Sequence, residues 1–359
     1  MPLKPAIIVS LVLCAAFVAG CGTSGTAANS SASTTVPSSA AGFSTATSAP
    51  ALGPASSATT SGPGSSAPPA SSSVSASPAP ASPASASALP PAAAASVPPT
   101  SPKPPQRIVS LSPTATEDLF AIGAGSQVVA VDSNSNYPST VPKTTLSAYE
   151  PNVESIAKYQ PDLVVISDDI NNIKAQLTKL SIPVLVEPAA TSLNDAYQQI
   201  NSLGSATGHV AEASKTVASM RSGIATSVAT VPKRTVPLTY FHELDNTLYT
   251  VSSKTFVGQI YALAGLEDVA DPANTKSAAY PQLSAEYLVK SDPDLIFLAD
   301  VKCCRQSAAT FAARPGFSAL SAVRDRRVVL LDDDVASRWG PRVVQLLQKI
   351  VDAVKSVRS

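Results

Sequence analysis

The segment PNVESIAKYQPDLVVI, Pro151 to Ile166, returns as LSAEYLVKSDPDLIFL, Leu283 to Leu298. In both copies a glutamate precedes an apolar helix face, and Pro-Asp-Leu then opens an apolar strand: Glu154 stands seven positions before Pro161, and Glu286 seven before Pro293. A helix feeding a short parallel strand is the repeating step of α/β architecture. Two copies in one chain imply two lobes of like topology, since a solenoid would need more repeats.

The same rhythm extends outward from the first copy. Ile108 to Leu111 is a short apolar run. Ser112 and Pro113 then open a helix in the preferred order, a capping hydroxyl followed by proline in the first turn, and Gly123 closes it. Strands are expected at Val128 to Val131, Leu163 to Ile166 and Val184 to Val186, with helices between them, one from about Val153 to Tyr159. Ligands of parallel sheets meet the loops at the carboxyl ends of strands, which singles out Leu111 to Thr114, Asp132 to Pro138 and Ser167 to Ile170. Between the copies, Val210, Ala213, Val217, Met220, Ile224 and Val228 recur at steps of three and four, giving one apolar face to a helix from about His209 to Ala229. At 1.5 Å per residue that helix spans roughly 30 Å, enough to act as a strut between lobes or to pack inside one of them.

The first hundred residues follow different rules. One lysine, Lys4, precedes an apolar run from Ala6 to Gly20, which at about 15 residues is shorter than the roughly 20 a spanning helix needs. The run ends in Val18-Ala-Gly-Cys21. This segment, residues 1–20, resembles bacterial lipoprotein signals, which implies lipid on Cys21 as the first mature residue and an anchor on the outer face of a membrane. Residues 21–106 are almost entirely Ala, Ser, Thr, Pro and Gly, with one charged side chain, Lys103. Too little apolar surface is present to offset backbone ordering at roughly 1–2 kcal/mol per residue, so the segment reads as a tether. Random-coil scaling of ~5–6 Å times the square root of length gives residues 22–106 a mean span near 50 Å. The composition also permits O-glycosylation.

All 25 acidic residues, and all but two of the 25 basic ones, lie after Gln106. That balance lacks the basic stripe of a nucleic-acid binder and leaves membrane contact to the lipid. The two histidines, His209 and His242, form no metal-ligand pair, and no nucleophile motif is present, so neither catalysis nor a resident metal or cofactor is expected. Asp332-Asp333-Asp334 follows a strand from Val328 to Leu331 and reads as a solvated turn, with one carboxylate available to the cleft. With Cys14 removed and Cys21 lipidated, Cys303 and Cys304 have each other in an oxidising compartment. A vicinal disulfide, a pair of thiols or a metal-thiolate contact are the readings this leaves open.

The ordered set RIVSLSPTATEDL (Arg107 to Leu119), Asn136-Tyr-Pro138, Asn152-Val-Glu154 through Pro161-Asp-Leu163, and Trp339-Gly-Pro-Arg342 resembles the cluster-A substrate-binding proteins of ABC importers. The chain is most similar to actinobacterial iron(III) dicitrate-binding lipoproteins, a subgroup whose members the Cys303-Cys304 pair also resembles. The resemblance implies two Rossmann-like lobes with parallel sheets, residues 107–204 and 233–359, joined by one long helix within residues 205–232. It further implies a monomer holding a ferric siderophore, haem or cobalamin between the lobes, with iron present only as part of a chelate. Glu154 and Glu286 match the family's permease-docking glutamates, one per lobe. A carboxylate in a helix's first turn also gains ~0.3–1 kcal/mol from the helix dipole, so the position has a purely local explanation too.

For the ligand itself, the matching positions are Tyr137 and Tyr149 in the first lobe, and His242, Glu243, Tyr249, Arg305, Arg338 and Trp339 in the second. Aromatic faces suit a large ligand body and arginines suit carboxylates, which together favour a bulky anionic guest. The expectation is a lipid-anchored capture protein for a ferric siderophore, ahead of haem or cobalamin. A tethered cell-envelope interaction protein without a transport role is the reading from another class.

Overall fold

A computed structural model describes residues 103–357. The signal segment, Cys21 and nearly all of the tether lie outside the described residues. No helix among the described residues is long and apolar enough to cross a membrane.

The first lobe runs β1 (Ile108–Leu111), α1 (Pro113–Ala121), β2 (Val128–Val131), α2 (Val153–Ala157), β3 (Leu163–Ile166), α3 (Ile173–Lys179), β4 (Val184–Val186) and α4 (Leu193–Thr207). Its four strands are all parallel, in the order β2-β1-β3-β4. After α5 (Val210–Ala229), the second lobe runs β5 (Leu238–Glu243), α6 (Phe256–Leu263), β6 (Leu266–Asp268), α7 (Ala285–Ser291), β7 (Leu295–Leu298), α8 (Ala308–Ala312), α9 (Ser321–Arg324), β8 (Val328–Leu330), α10 (Asp333–Ser337) and α11 (Val343–Ser356). Its order, β6-β5-β7-β8, is again all parallel and repeats the first topology.

The repeated sequence segment has a repeated structural task. Asp162 of the first Pro-Asp-Leu accepts from the backbone N–H groups of Gln106 (2.7 Å) and Arg107 (2.8 Å), which lead into β1. Asp294 of the second accepts from the N–H of Thr239 (2.9 Å) at the start of β5. Each aspartate therefore ties the entry of its own strand to the first strand of its lobe. Strands β1, β3 and β7 are buried along their whole length, as parallel strands covered by helices on both faces must be.

Local chemistry sets the helix ends. The Ser112 hydroxyl accepts from the Ala115 N–H, a cap worth about 1 kcal/mol, and Pro113 takes the first helical position. Asn152 caps α2 and Ser284 caps α7 in the same way, placing Glu154 and Glu286 in exposed first turns. Helix α5 turns Ala213, Val217, Met220 and Ile224 inward. Val210, the first residue of the helix, is instead 56 % exposed. Helix α4 crosses α5 closely at Gly204, where a β-carbon would come within 2.4 Å of the Ala213 Cβ.

Candidate functional site

At the carboxyl end of the first sheet, a buried hydroxyl network fixes the loop after β2. Thr116 on α1 donates to the Ser110 hydroxyl (2.9 Å) and meets that of Ser135 (2.9 Å), and Ser135 donates to Asp132. Burial pushes the Asp132 carboxyl upward, against the hydrogen bonds from Ser135 and the Asn134 backbone. The loop carries Tyr137, which is 44 % exposed. Tyr149 is 45 % exposed, its phenol raised by partial burial and by the Asp132 and Asp168 carboxylates. Both tyrosines keep ring surface exposed to solvent.

The second lobe contributes a matching edge. Beyond β5 the chain pairs with residues 279–282: Thr250 N–H donates to Pro281 O, Ser252 N–H to Ala279 O, and Tyr249 bridges to Gln282. Tyr249 is half-buried within this pairing, whereas Tyr280, in the paired segment, is 43 % exposed. Tyr280 was not singled out from sequence, since it lies in an irregular stretch with no motif around it. Arg305 is exposed in the loop after β7, with φ of 56°.

Three expected contacts are corrected. Strand β5 runs through to Glu243, so His242 and Glu243, expected to meet the ligand, are inside a central strand and fully buried. His242 Nδ1 shares a hydrogen bond with the Tyr261 hydroxyl (2.7 Å), and burial lowers the imidazole to about 3, leaving it neutral. Glu243 accepts both arms of Arg314, at 2.7 and 2.6 Å. Its neighbour Asp300 is also buried and is pushed up to about 8, first by burial and then by the charge on Glu243. Arg338, expected to offer its guanidinium to a ligand, is 7 % exposed and spent within the protein. It donates to Glu117 (2.6 Å), to Asn136 Oδ1 (3.1 Å), to the backbone oxygen of Asn134 (2.8 Å) and to Asp334 (2.8 Å). A buried guanidinium must be paired, and the nearest carboxylates in the fold supply the pairing.

Arg338 belongs to a larger clasp between the lobes. Arg342 donates through Nε to Glu117 (2.7 Å), which raises the guanidinium further, and its head group lies 4.2 Å from the centre of the Tyr137 ring. Asn136 donates to Asp334 (3.0 Å), and Trp339 Nε1 donates to Gln199 on α4 (2.7 Å). Trp339 is half-buried, so its ring serves lobe packing as well as any ligand. The aspartate run is not a solvated turn: Asp332 caps α10, Asp333 accepts from the N–H groups of Lys302 and Cys303, and Lys302 bridges Asp332 and Asp334 at 2.8 Å each. Sequence reasoning passed over Glu117 and Arg342 as site residues although both lie inside the family-like motifs, because only the fold shows that those motifs face each other.

The half-buried or buried arginines Arg338, Arg342 and Arg314, and the exposed Lys302, are thus compensated by carboxylates of the protein, while Tyr137, Tyr149 and Tyr280 keep exposed ring surface. Among the described residues no group of three or more His, Cys, Asp or Glu side chains is placed to hold a metal ion. A shallow groove of about 730 Å³ between α5 and α11, lined by Ser219, Gly223, Val344 and Gln348 among others, lies on helix faces and not on the strand-end loops.

Comparison with known proteins agrees with this geometry. A family model described as periplasmic binding protein matches residues 108–335. A cobalamin-binding protein of Halobacterium salinarum is 30 % identical over 259 residues, 69 % of this chain and 69 % of that one. An uncharacterized ABC transporter substrate-binding lipoprotein of Bacillus subtilis, YvrC, is 30 % identical over 71 % of this chain and 82 % of its own. Among solved structures, the apo periplasmic haem-binding protein RhuT from Roseiflexus is similar at 26 % identity with a TM-score of 0.62, covering 69 % of this chain and 97 % of that one.

Proposed function

The chain belongs to the periplasmic binding protein family, and on that premise we propose that it is the lipid-anchored capture component of an ABC importer whose guest is a corrinoid. The observation that carries the choice of guest is the neutralisation of the inward arginines: with Glu117, Asp334 and Glu243 already occupying them, the cleft favours a large ligand of low net charge over a multiply anionic ferric chelate. A corrinoid offers a broad conjugated face to Tyr137, Tyr149 and Tyr280, an amide-rich edge to the polar loops, and one phosphodiester suited to the exposed Arg305. The name of the Halobacterium relative supports the same guest. The ferric siderophore expected from sequence, and haem, rank behind it.

In this reading Cys21 carries the lipid, the tether gives the domain reach, and Glu154 and Glu286 dock one lobe each on a two-subunit permease. Charge pairs at such a rim set orientation and association rate more than affinity. No bond is made or broken in the cargo: the protein slows its escape and presents it to a transporter that supplies the work.

Titration of the purified protein with cyanocobalamin, haemin and ferric dicitrate, followed by fluorescence of Trp339, the one tryptophan in the chain, tests the assignment. Saturable quenching strongest for cyanocobalamin is expected. Tighter binding of a ferric chelate or haemin would replace the guest, and no response to any of the three would overturn the capture role.

A further inference from the structure

The loop leaving β7 at the carboxyl edge of the second sheet carries adjacent cysteines. Cys303 is exposed, Cys304 is half-buried, and their sulphurs are in contact at 2.7 Å. The loop is anchored through the backbone of these residues. Cys304 N–H (3.1 Å) and Gln306 N–H (3.3 Å) both donate to Asp300 O, closing residues 300–306 on themselves. Cys303 N–H and Lys302 N–H donate to the Asp333 carboxylate at 2.9 and 3.0 Å. The next residue, Asp334, holds Lys302, Asn136 of the first lobe, and Arg338. Two residues therefore separate the sulphur pair from the contact between lobes.

We propose that Cys303 and Cys304 form a thiol–disulfide exchange site whose state sets how firmly the 300–306 loop grips Asp333 and Asp334, and through them the first lobe. A bond between adjacent cysteines closes a small ring around their shared peptide group, the one whose N–H donates to Asp300 O. Closing or opening that ring reorients the peptide and moves the neighbouring Cys303 N–H against Asp333. Adjacent α-carbons lie about 3.8 Å apart, below the roughly 4.4–6.8 Å usual for disulfides, so such a bond is strained and readily reduced.

The partner is an external disulfide, either a small-molecule disulfide or that of an oxidoreductase. In closing, the exposed Cys303 thiolate attacks one sulphur of that disulfide, whose S–S bond breaks and whose other sulphur leaves as a thiolate and takes up a proton. Cys304 thiolate then attacks the Cys303 sulphur of the mixed disulfide and expels the second thiol. The two cysteines lose two protons and two electrons in total, and the external disulfide gains them. A dithiol reverses both steps. The exposure of Cys303 and the partial burial of Cys304 give the order of attack.

The test uses the full chain without cargo, so its outcome is independent of which guest the cleft carries. Samples are equilibrated in oxidised or reduced glutathione, the pair is trapped with iodoacetamide for mass analysis, and hydrogen exchange is followed over residues 300–306 and 333–338. Interconversion of the pair, with several-fold different exchange in both segments between the two states, is expected. The folded Cys303→Ser/Cys304→Ser variant should show one exchange pattern in both buffers. A pair that stays in one state in both buffers, identical exchange in the two states, or a redox response that persists in the double variant would overturn the proposal. Equilibration is run with and without an added oxidoreductase, and a pair counts as staying in one state only when neither condition converts it: glutathione alone converting it as fast as the oxidoreductase assigns the partner to the first source, and conversion only with the oxidoreductase assigns it to the second.

Discussion

Arg338 donates to Glu117 at 2.6 Å across 221 residues of sequence, and this buried pair joins the second lobe to the first. Arg342 shares the same carboxylate, so Glu117 compensates two guanidinium groups at once. Glu117→Ala would take the carboxylate from Arg342 and leave Arg338 with the Asp334 carboxylate alone, and should cost about 3–5 kcal/mol of stability, read from urea unfolding. Arg338→Ala should cost a comparable amount. A loss under about 1 kcal/mol for Glu117→Ala would mean that the clasp contributes little.

In the proposed reading, exposure separates ligand contacts from structural ones. Tyr137, held by Arg342 on one side and open on the other, should lose corrinoid affinity by about tenfold on change to Ala, equal to ~1.4 kcal/mol, with little change in stability. His242→Ala should do the reverse: removal of a fully buried ring bonded to Tyr261 lowers stability by about 2–4 kcal/mol and leaves the affinity of the folded protein unchanged. Binding and unfolding measured on both variants decide the matter, and an affinity loss confined to His242→Ala would invert the assignment.

Glu154→Lys together with Glu286→Lys should leave cyanocobalamin affinity intact while impairing uptake into cells, since both glutamates sit in exposed first turns and none of the contacts proposed for the guest runs through them. Undiminished uptake by the double variant would remove the docking role.

In the proposed reading, membrane attachment rests on one sulphur. Cys21→Ala should shift the protein from the detergent phase to the aqueous phase on Triton X-114 partition, and retention in the detergent phase would reject lipidation at that residue.

The pH profile of stability follows from buried groups. Asp268, which accepts from the Tyr240 hydroxyl (2.9 Å), is raised to about 7 and Asp300 to about 8, both chiefly by burial. A carboxyl that binds its proton more tightly when folded gives stability that is full below the unfolded value near 4 and is lost as the pH rises through the folded one. His242, lowered to about 3, acts in the opposite sense, and its contribution is complete above about 6.5. Of these three groups only the carboxyls change above that pH, so their contribution to stability should fall from pH 6.5 toward 8.5. Asp268 accounts for about 1 kcal/mol of the fall. Asp268→Asn should flatten the profile by that amount in denaturant titrations at fixed pH steps, and a slope equal to that of the unchanged protein would exclude Asp268 as a source.

Elements whose signals are local were legible in the chain. The Ser112-Pro113 cap, the Gly123 stop and the apolar runs at β1, β2, β3, β4 and β7 coincide with the structure because hydrogen bonding and burial act there over a few residues. The expectation that His242 and Glu243 meet the ligand failed because two polar residues in sequence conceal a strand that keeps them buried by pairing them with Tyr261 and Arg314.

The sequence by itself determined the doubling of the α/β unit, the helix between the halves, and the contrast between a charge-balanced folded region and a nearly uncharged N-terminal segment, all matters of periodicity and composition. Only the tertiary structure decided which charges meet. Glu117, Asn136, Asp334, Arg338 and Arg342 lie in motifs far apart along the chain, and the energy of a buried ion pair depends on separation and desolvation in space, which no local pattern encodes.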